Sequence, residues 1–161
     1  MLKKVIKYED YDGNPQEFEA YFDLSKMELT DLNLEYEEYD GILGYMKKLM
    51  QERNGFIKKP AIDFMRRLLD TAYGIRPKDN PSKFIKVDEN GEPLIKQFKG
   101  TIPYDEYLYQ LITEQDVLEE FGAYAMPKIS DEQRAESEEI LKKEGFIDAA
   151  GEVTEFPVQK A

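Results

Sequence analysis

The 161-residue sequence contains no cysteine, no histidine and no tryptophan. Without cysteine there is no disulfide framework, no thiolate nucleophile and no thiolate zinc site. Without histidine the commonest general base is missing, and with it the Ser-His-Asp triad and imidazole metal ligation. Glycine-rich phosphate loops are absent too, since neither G-x-G-x-x-G nor G-x-x-x-x-G-K-[ST] occurs. No apolar run approaches the ~20 residues that a membrane-spanning helix needs. The start, MLKKVIKYEDYDG, carries lysines, but its apolar residues alternate with charge instead of forming a secretory h-region, which points to a cytosolic protein. A glycosidase needs only two carboxylates, yet such sites occupy a sizeable cleft that a short helical domain rarely offers. The expectation is a non-enzymatic protein with no catalytic, cofactor-binding or metal-binding residues.

What is present is acid and apolar surface. Thirty-four Asp and Glu against twenty-two Lys and Arg give a formal charge of −12. That balance disfavours nucleic acid and anionic membranes, both polyanions, and favours solubility. A hydrophobic content of 41% with 12% aromatics is enough for a packed core. The length favours one domain with an appended terminal element.

The hydrophobic period changes within EFEAYFDLSKMELTDLNL, Glu17 to Leu34. Phe18, Ala20 and Phe22 alternate as one face of a strand, whereas Ser25 to Glu28 is a capping box followed by Leu29 and Leu32 at helical spacing. Upstream, Asp12-Gly13-Asn14-Pro15 supplies turn chemistry, so residues 3–24 read as a β-hairpin feeding a helix. A second helix starts near Asp40 with Ile42, Tyr45, Met46, Leu49 and Met50 on one face, and Asn54-Gly55 is expected to end it. A third, KPAIDFMRRLLDTAYG, has Pro60 in its first turn and Gly74 as its expected C-terminal cap. Its wide apolar face, which includes Phe64, Met65 and Leu68, marks a buried helix, more core than interface.

The connection from Ile75 to Gly100 is long for a bare loop, so a short helix or strand is expected inside it, with Phe84, Ile85 and Val87 reaching the core. Two closing helices follow, PYDEYLYQLI and TEQDVLEEFGAYAMP, with Thr113 and Asp116 as the expected cap pairing between them. The fold class is α+β, mainly α: an N-terminal hairpin and a compact bundle of about five helices. The expected domain boundaries are 1–129 for the core and 130–161 for an acidic appendage with nine acidic and four basic side chains. That appendage contains a helix with a second capping box (Ser130, Gln133), Lys142 and Lys143 in its last turn and Gly145 as its stop. A small hairpin or a loose tail follows it.

Two acidic stretches invite a metal reading. Glu35, Glu37, Glu38 and Asp40 lie close together, but without the alternating ligands and twelfth-position Glu of an EF-hand they read as a solvated surface. Asp88, Glu89, Asn90, Gly91 and Glu92 read as a plain turn. Tyr104, Tyr107 and Leu111 follow helical spacing and read as core, since Asp105 and Glu106 beside them would repel phosphates. Met27, Met46, Met50, Met65 and Met126 lie in or beside apolar stripes, where flexible thioethers suit either core filling or a surface that accepts varied partners.

Three pieces, in this order, resemble the small tail assembly chaperones of long-tailed bacteriophages. YDGNPQEFEAYFDLSKMELTDLNL is similar to their F-Y-F-N-L-T-K-A-E-like segment, with Asp23 where that pattern usually has Asn. FMRRLLDTAYGIRPKDNPSKFIK resembles their helix, Tyr-Gly stop and Phe-Ile-Lys return. EYLYQLITEQDVLEEFGAYAMP resembles their closing helix pair. The resemblance covers about residues 1–127, and 130–161 has no counterpart in it.

The resemblance implies a non-enzymatic helper in the host cytoplasm. It would bind the tape measure protein before the tail tube polymerises, and it would be absent from the finished virion. A longer, frameshifted form in such families engages the tail tube subunit. Two other readings compete: an acidic nucleic-acid mimic that blocks a host enzyme, and a structural tail component retained in the virion. Basic residues interrupt the acidic ones in MKKLMQERNGFIKK, whereas a mimic needs a continuous negative stripe. The partner's identity, the oligomeric state and the exposed apolar residues stay open at this level.

Overall fold

Asp10 organises the first turn: its Oδ1 accepts the backbone N–H of Asp12 at 3.0 Å and of Asn14 at 2.9 Å, and Gly13 takes a φ of 83°. This turn joins β1 (Leu2–Glu9) to β2 (Pro15–Phe22), antiparallel in register from Leu2↔Phe22 to Glu9↔Pro15. Strand alternation puts Leu2, Ile6, Ala20 and Phe22 into the core, with Phe18 packed against it, and leaves Glu17 and Glu19 in solvent. A computed structural model describes residues 1–52, 57–127 and Glu139. The expected stop at Asn54-Gly55, the second capping box at Ser130 and Gln133, the basic turn at Lys142 and Lys143, Gly145 and the closing hairpin lie outside these residues.

Helices follow the hairpin as expected: α1 (Lys26–Glu35), α2 (Ile42–Glu52), α3 (Lys59–Ala72), a short α4 (Ile95–Lys99), α5 (Ile102–Thr113) and α6 (Gln115–Tyr124). The architecture is α+β and mainly α. Helix α3 is central, with Phe64, Met65, Leu68, Leu69 and Ala72 buried and Pro60 in its first turn. Helices α5 and α6 are joined by Glu114 alone and pack as neighbours, with Tyr104, Tyr107, Leu111 and Phe121 in the core. The α6 end is tied to the hairpin by Leu24 N–H donating to the Ala125 carbonyl at 2.7 Å.

Three local expectations are overturned. Gly74 is not a left-handed cap: Tyr73 ends α3 in extended conformation, and Tyr73–Gly74 forms a third strand, β3, paired with Tyr21 and Phe22 of β2. Pairing with β2 supersedes the helix stop, and the missing side chain serves packing. A Cβ on Gly74 would lie 2.2 Å from Phe84 Cε1 and 2.6 Å from the Ile85 carbonyl oxygen. Gly74→Ala is therefore expected to lower stability by about 1–3 kcal/mol, as overpacking does. Urea unfolding checks this, and an unchanged midpoint would mean that the Phe84 ring moves aside freely.

Thr113 does not cap α6. Its hydroxyl donates back to the Tyr109 carbonyl at 2.8 Å, while Thr101, unforeseen, caps α5 by accepting from Tyr104 N–H. Phe84, Ile85 and Val87 do not join the core either: Phe84 and Ile85 are half-buried beside it and Val87 is 49% exposed. Residues 75–94 instead form short bridged turns (Ile75↔Ile85, Val87↔Pro93), and α4 delivers Ile95 and Phe98 to the core. The turn at Asp88 is as read: its Oδ1 accepts the N–H groups of Asn90 and Glu92, and Gly91 has a φ of 78°.

Candidate functional site, a groove between the first two helices

The junction from hairpin to α1 is held from several sides. Ser25 Oγ accepts the Glu28 N–H at 3.1 Å, and Glu28 Oε1 accepts the Ser25 N–H at 3.0 Å, which completes the capping box. Asp23 N–H donates to the Ala72 carbonyl at 2.8 Å, at the end of α3. Into this corner comes Lys86, whose ammonium donates to the Glu28 carboxylate at 2.7 Å and to the carbonyls of Asp23 and Thr71 at 2.6 Å. Burial pushes the Glu28 carboxyl up, but the Lys86 ammonium and the Ser25 N–H together outweigh it and hold the group below its ordinary value.

So anchored, α1 buries Leu32 and packs Leu29 against the core. Its other side carries Met27, Thr30 and Leu34, spaced for one helical face. Met27 is 68% exposed and Leu34 60%. Apolar residues on two sides leave α1 without a single water-facing polar stripe. A 3-10 turn (Glu37–Tyr39) then reverses the chain through Asp40 at φ 62° and Gly41 at φ 93°. Asn33 Oδ1 accepts the Ile42 N–H at 3.1 Å, and a Cβ on Gly41 would lie 2.8 Å from that oxygen. The small residue and the amide together fix how α2 leaves α1. On the inner side Tyr36 stacks on Tyr45 at 4.5 Å, and both rings meet Phe64 of α3 edge-on. Burial raises both tyrosines above their ordinary values, helped by the Tyr45 phenol at Tyr36 and by the Tyr39 phenol at Tyr45, so this support does not titrate near neutrality.

The outer side of the reversal is a groove of about 480 Å³, lined by Thr30, Asn33, Leu34, Glu37, Asp40 and Leu43, with Gly41 at its base. Leu43 is 38% exposed there. The acidic stretch from Glu35 to Asp40 splits around it. Glu35 turns away to a two-pronged pair with Arg67 of α3, with Nη2 at 3.0 and 3.1 Å from the two carboxylate oxygens. Asp31, Glu37, Glu38 and Asp40 make no ion pair among the described residues. No group of three or more acidic side chains is placed to hold a metal among the described residues. No described helix is long and apolar enough to cross a membrane.

The methionines divide. Met65 is buried, Met46 and Met126 pack against the core, and Met27 is exposed; the Met50 side chain lies outside the described set. Phe64, Met65 and Leu68 are core, as expected. Sequence reasoning missed Leu34 and Leu43 as groove residues. The signal was there, because both fall off the stripes that Leu29–Leu32 and Ile42–Tyr45–Leu49 define. A leucine off its helix's buried stripe is either scattered surface or a contact site, and only the tertiary fold brings these two together.

Comparison with curated proteins and with solved structures gives no match. A family model described as phage tail assembly chaperone matches residues 1–160. It extends past the 1–127 carried by the three resembling pieces, so the C-terminal segment also has a counterpart in the family pattern. The chain, with its hairpin-led helical body, belongs to the phage tail assembly chaperone family.

Proposed function

We propose that this chaperone binds the tape measure protein by seating an apolar, basic helical segment of it in the α1–α2 groove. The single observation that carries the reading is the meeting of exposed Leu34 and Leu43 with carboxylates that have no ion pair among the described residues, on a chain of this family. Leucines contribute affinity by leaving water, and the carboxylates of Glu37 and Asp40 select a helix whose apolar residues are flanked by Lys or Arg. The chain does no covalent chemistry in this reading. Its excess negative charge keeps the loaded complex soluble and apart from other copies. It acts in the host cytoplasm and leaves before the virion is complete, so mass spectrometry of purified particles should not find it.

Co-expression tests the groove. The wild-type chain should raise the soluble fraction of the tape measure protein, and Leu34→Asp combined with Leu43→Ser should abolish most of that gain. Losing two seated leucines at about 2 kcal/mol apiece corresponds to roughly 1,000-fold in affinity. The thermal midpoint of the chaperone should move little, because both side chains reach solvent. Equal tape measure solubility with and without the wild-type chain would oppose the whole reading; equal rescue by the double variant would oppose the groove.

A further inference from the structure

On a chain with twelve excess negative charges, one pocket is positive. It has a volume of about 330 Å³ and is walled by Met1, Lys3, Tyr21, Arg76, Lys78 and the rings of Pro77 and Pro81. The sheet builds it. Lys3 of β1 stands opposite Tyr21 of β2, and Tyr21 stands opposite Gly74 of β3, so the row lies on one face of three paired strands. That face is the outer one, since the neighbouring Phe22 is buried in the core. Two residues past Gly74 the chain leaves the sheet through Arg76 and Lys78, and prolines on either side of Lys78 restrict the loop that carries them. No carboxylate lines the pocket. At its rim Glu19 pairs with Lys3 at 3.3 Å and accepts from the Tyr21 hydroxyl at 3.4 Å, and Asp23 pairs with the Met1 ammonium at 3.2 Å, but Arg76 and Lys78 have no ion pair among the described residues.

Two cations with no ion pair among the described residues, beside a third and around a space that holds one or two side chains, form a receptor for carboxylate. We infer that this pocket binds a short acidic peptide segment of a protein partner, with Arg76 and Lys78 gripping its carboxylates and Tyr21 flanking them. Charge complementarity selects that occupant. A nucleic acid strand would bring a continuous run of phosphates against a molecule of charge −12, whereas an acidic peptide can place two or three carboxylates in the pocket and turn away. The inference does not rest on the tape measure reading, because the pocket and the α1–α2 groove share no lining residue.

Fluorescence anisotropy of the full chain with labelled hexaglutamate tests it, with hexaglutamine and a six-nucleotide oligothymidylate as comparison probes. Hexaglutamate should bind better than either, and tenfold more salt, which shortens the screening length roughly threefold, should weaken it. Arg76→Gln combined with Lys78→Gln should weaken it by about tenfold or more, as expected for lost charge-assisted hydrogen bonds. Both side chains are exposed, so an unchanged circular dichroism spectrum and thermal midpoint should accompany that loss. Leu34→Asp should leave hexaglutamate binding intact, which separates failure of this pocket from failure of the groove. Hexaglutamine binding as well as hexaglutamate, full binding by the double variant, or oligothymidylate binding tighter than the peptide would each overturn the inference.

Discussion

Phe22→Ala is expected to lower the stability of this chaperone by about 4 kcal/mol, within the range of buried phenylalanine deletions. Phe22 has no exposed surface and is met by four other rings: Tyr73, Phe98, Tyr107 and Phe121, with centroids 5.9, 6.4, 5.0 and 6.0 Å away. These rings come from β3, α4, α5 and α6, so one truncation opens a cavity where four elements converge. For a chain of this length each kcal/mol moves the thermal midpoint by about 2–4 °C, so a fall of roughly 10–15 °C is expected. Tyr107→Phe at the neighbouring ring should behave oppositely, with a change of less than about 1 kcal/mol or a small gain. The Tyr107 hydroxyl is buried without a hydrogen-bond partner among the described residues, and burial, followed by the Glu120 charge, raises its phenol far above the ordinary value. A Phe22→Ala midpoint within a few degrees of wild type would show that the five rings are not one packing unit.

The contrast between these two neighbours follows what the sequence could and could not announce. Alternation in EFEAYF placed Phe18, Ala20 and Phe22 on one face, and the fold buries that face. The Ser25–Glu28 box was equally legible, because capping is decided within four residues. Gly74 was misread because a helix stop and a strand glycine look alike until β2 is alongside. Thr113 was misread because its hydroxyl could either accept from a backbone N–H ahead of it or donate to the carbonyl one turn back, and it donates to Tyr109. Val87 was misread because the bridged turns of residues 75–94 handed its core duty to Ile95 and Phe98.

The candidate site was the least legible part. Asn33, Leu34 and Leu43 are ordinary in sequence, and their joint meaning depends on the left-handed turn at Asp40-Gly41, which sets how the start of α2 meets the end of α1. Lys86 was visible only as the last letter of a Phe-Ile-Lys return. Its partners lie 15, 58 and 63 positions away along the chain, a separation that no local pattern reports.

Lys86→Met should test that corner with an effect second only to Phe22. Methionine keeps most of the stem but removes the ammonium, so the carbonyls of Asp23 and Thr71 lose that donor and the Glu28 carboxylate keeps the Ser25 N–H but loses its counter-charge. Lys86 and Glu28 side chains are about a quarter exposed, at 24% and 30%, so water softens the loss, and about 2–3 kcal/mol is expected for hydrogen bonds to charged groups. The pH dependence identifies the carboxylate's share. Glu28 has a folded-state pKa below its ordinary 4.5, so its contribution is present above that value and disappears as pH falls through the folded-state value. The gap between wild type and Lys86→Met should therefore be constant from neutral pH to about 5 and then narrow at lower pH. It should not close, because the two carbonyl bonds do not titrate. Urea unfolding at pH 7 and pH 3 measures both gaps, and equal gaps would assign the lysine's whole effect to the carbonyls and packing. Lys86 bonds no groove-lining residue, so any loss of tape measure solubilisation in this variant must travel through the seating of α1. Loss of that activity at a temperature where the variant is still fully folded would show that the hairpin-to-helix corner sets the groove's shape as well as the fold's stability.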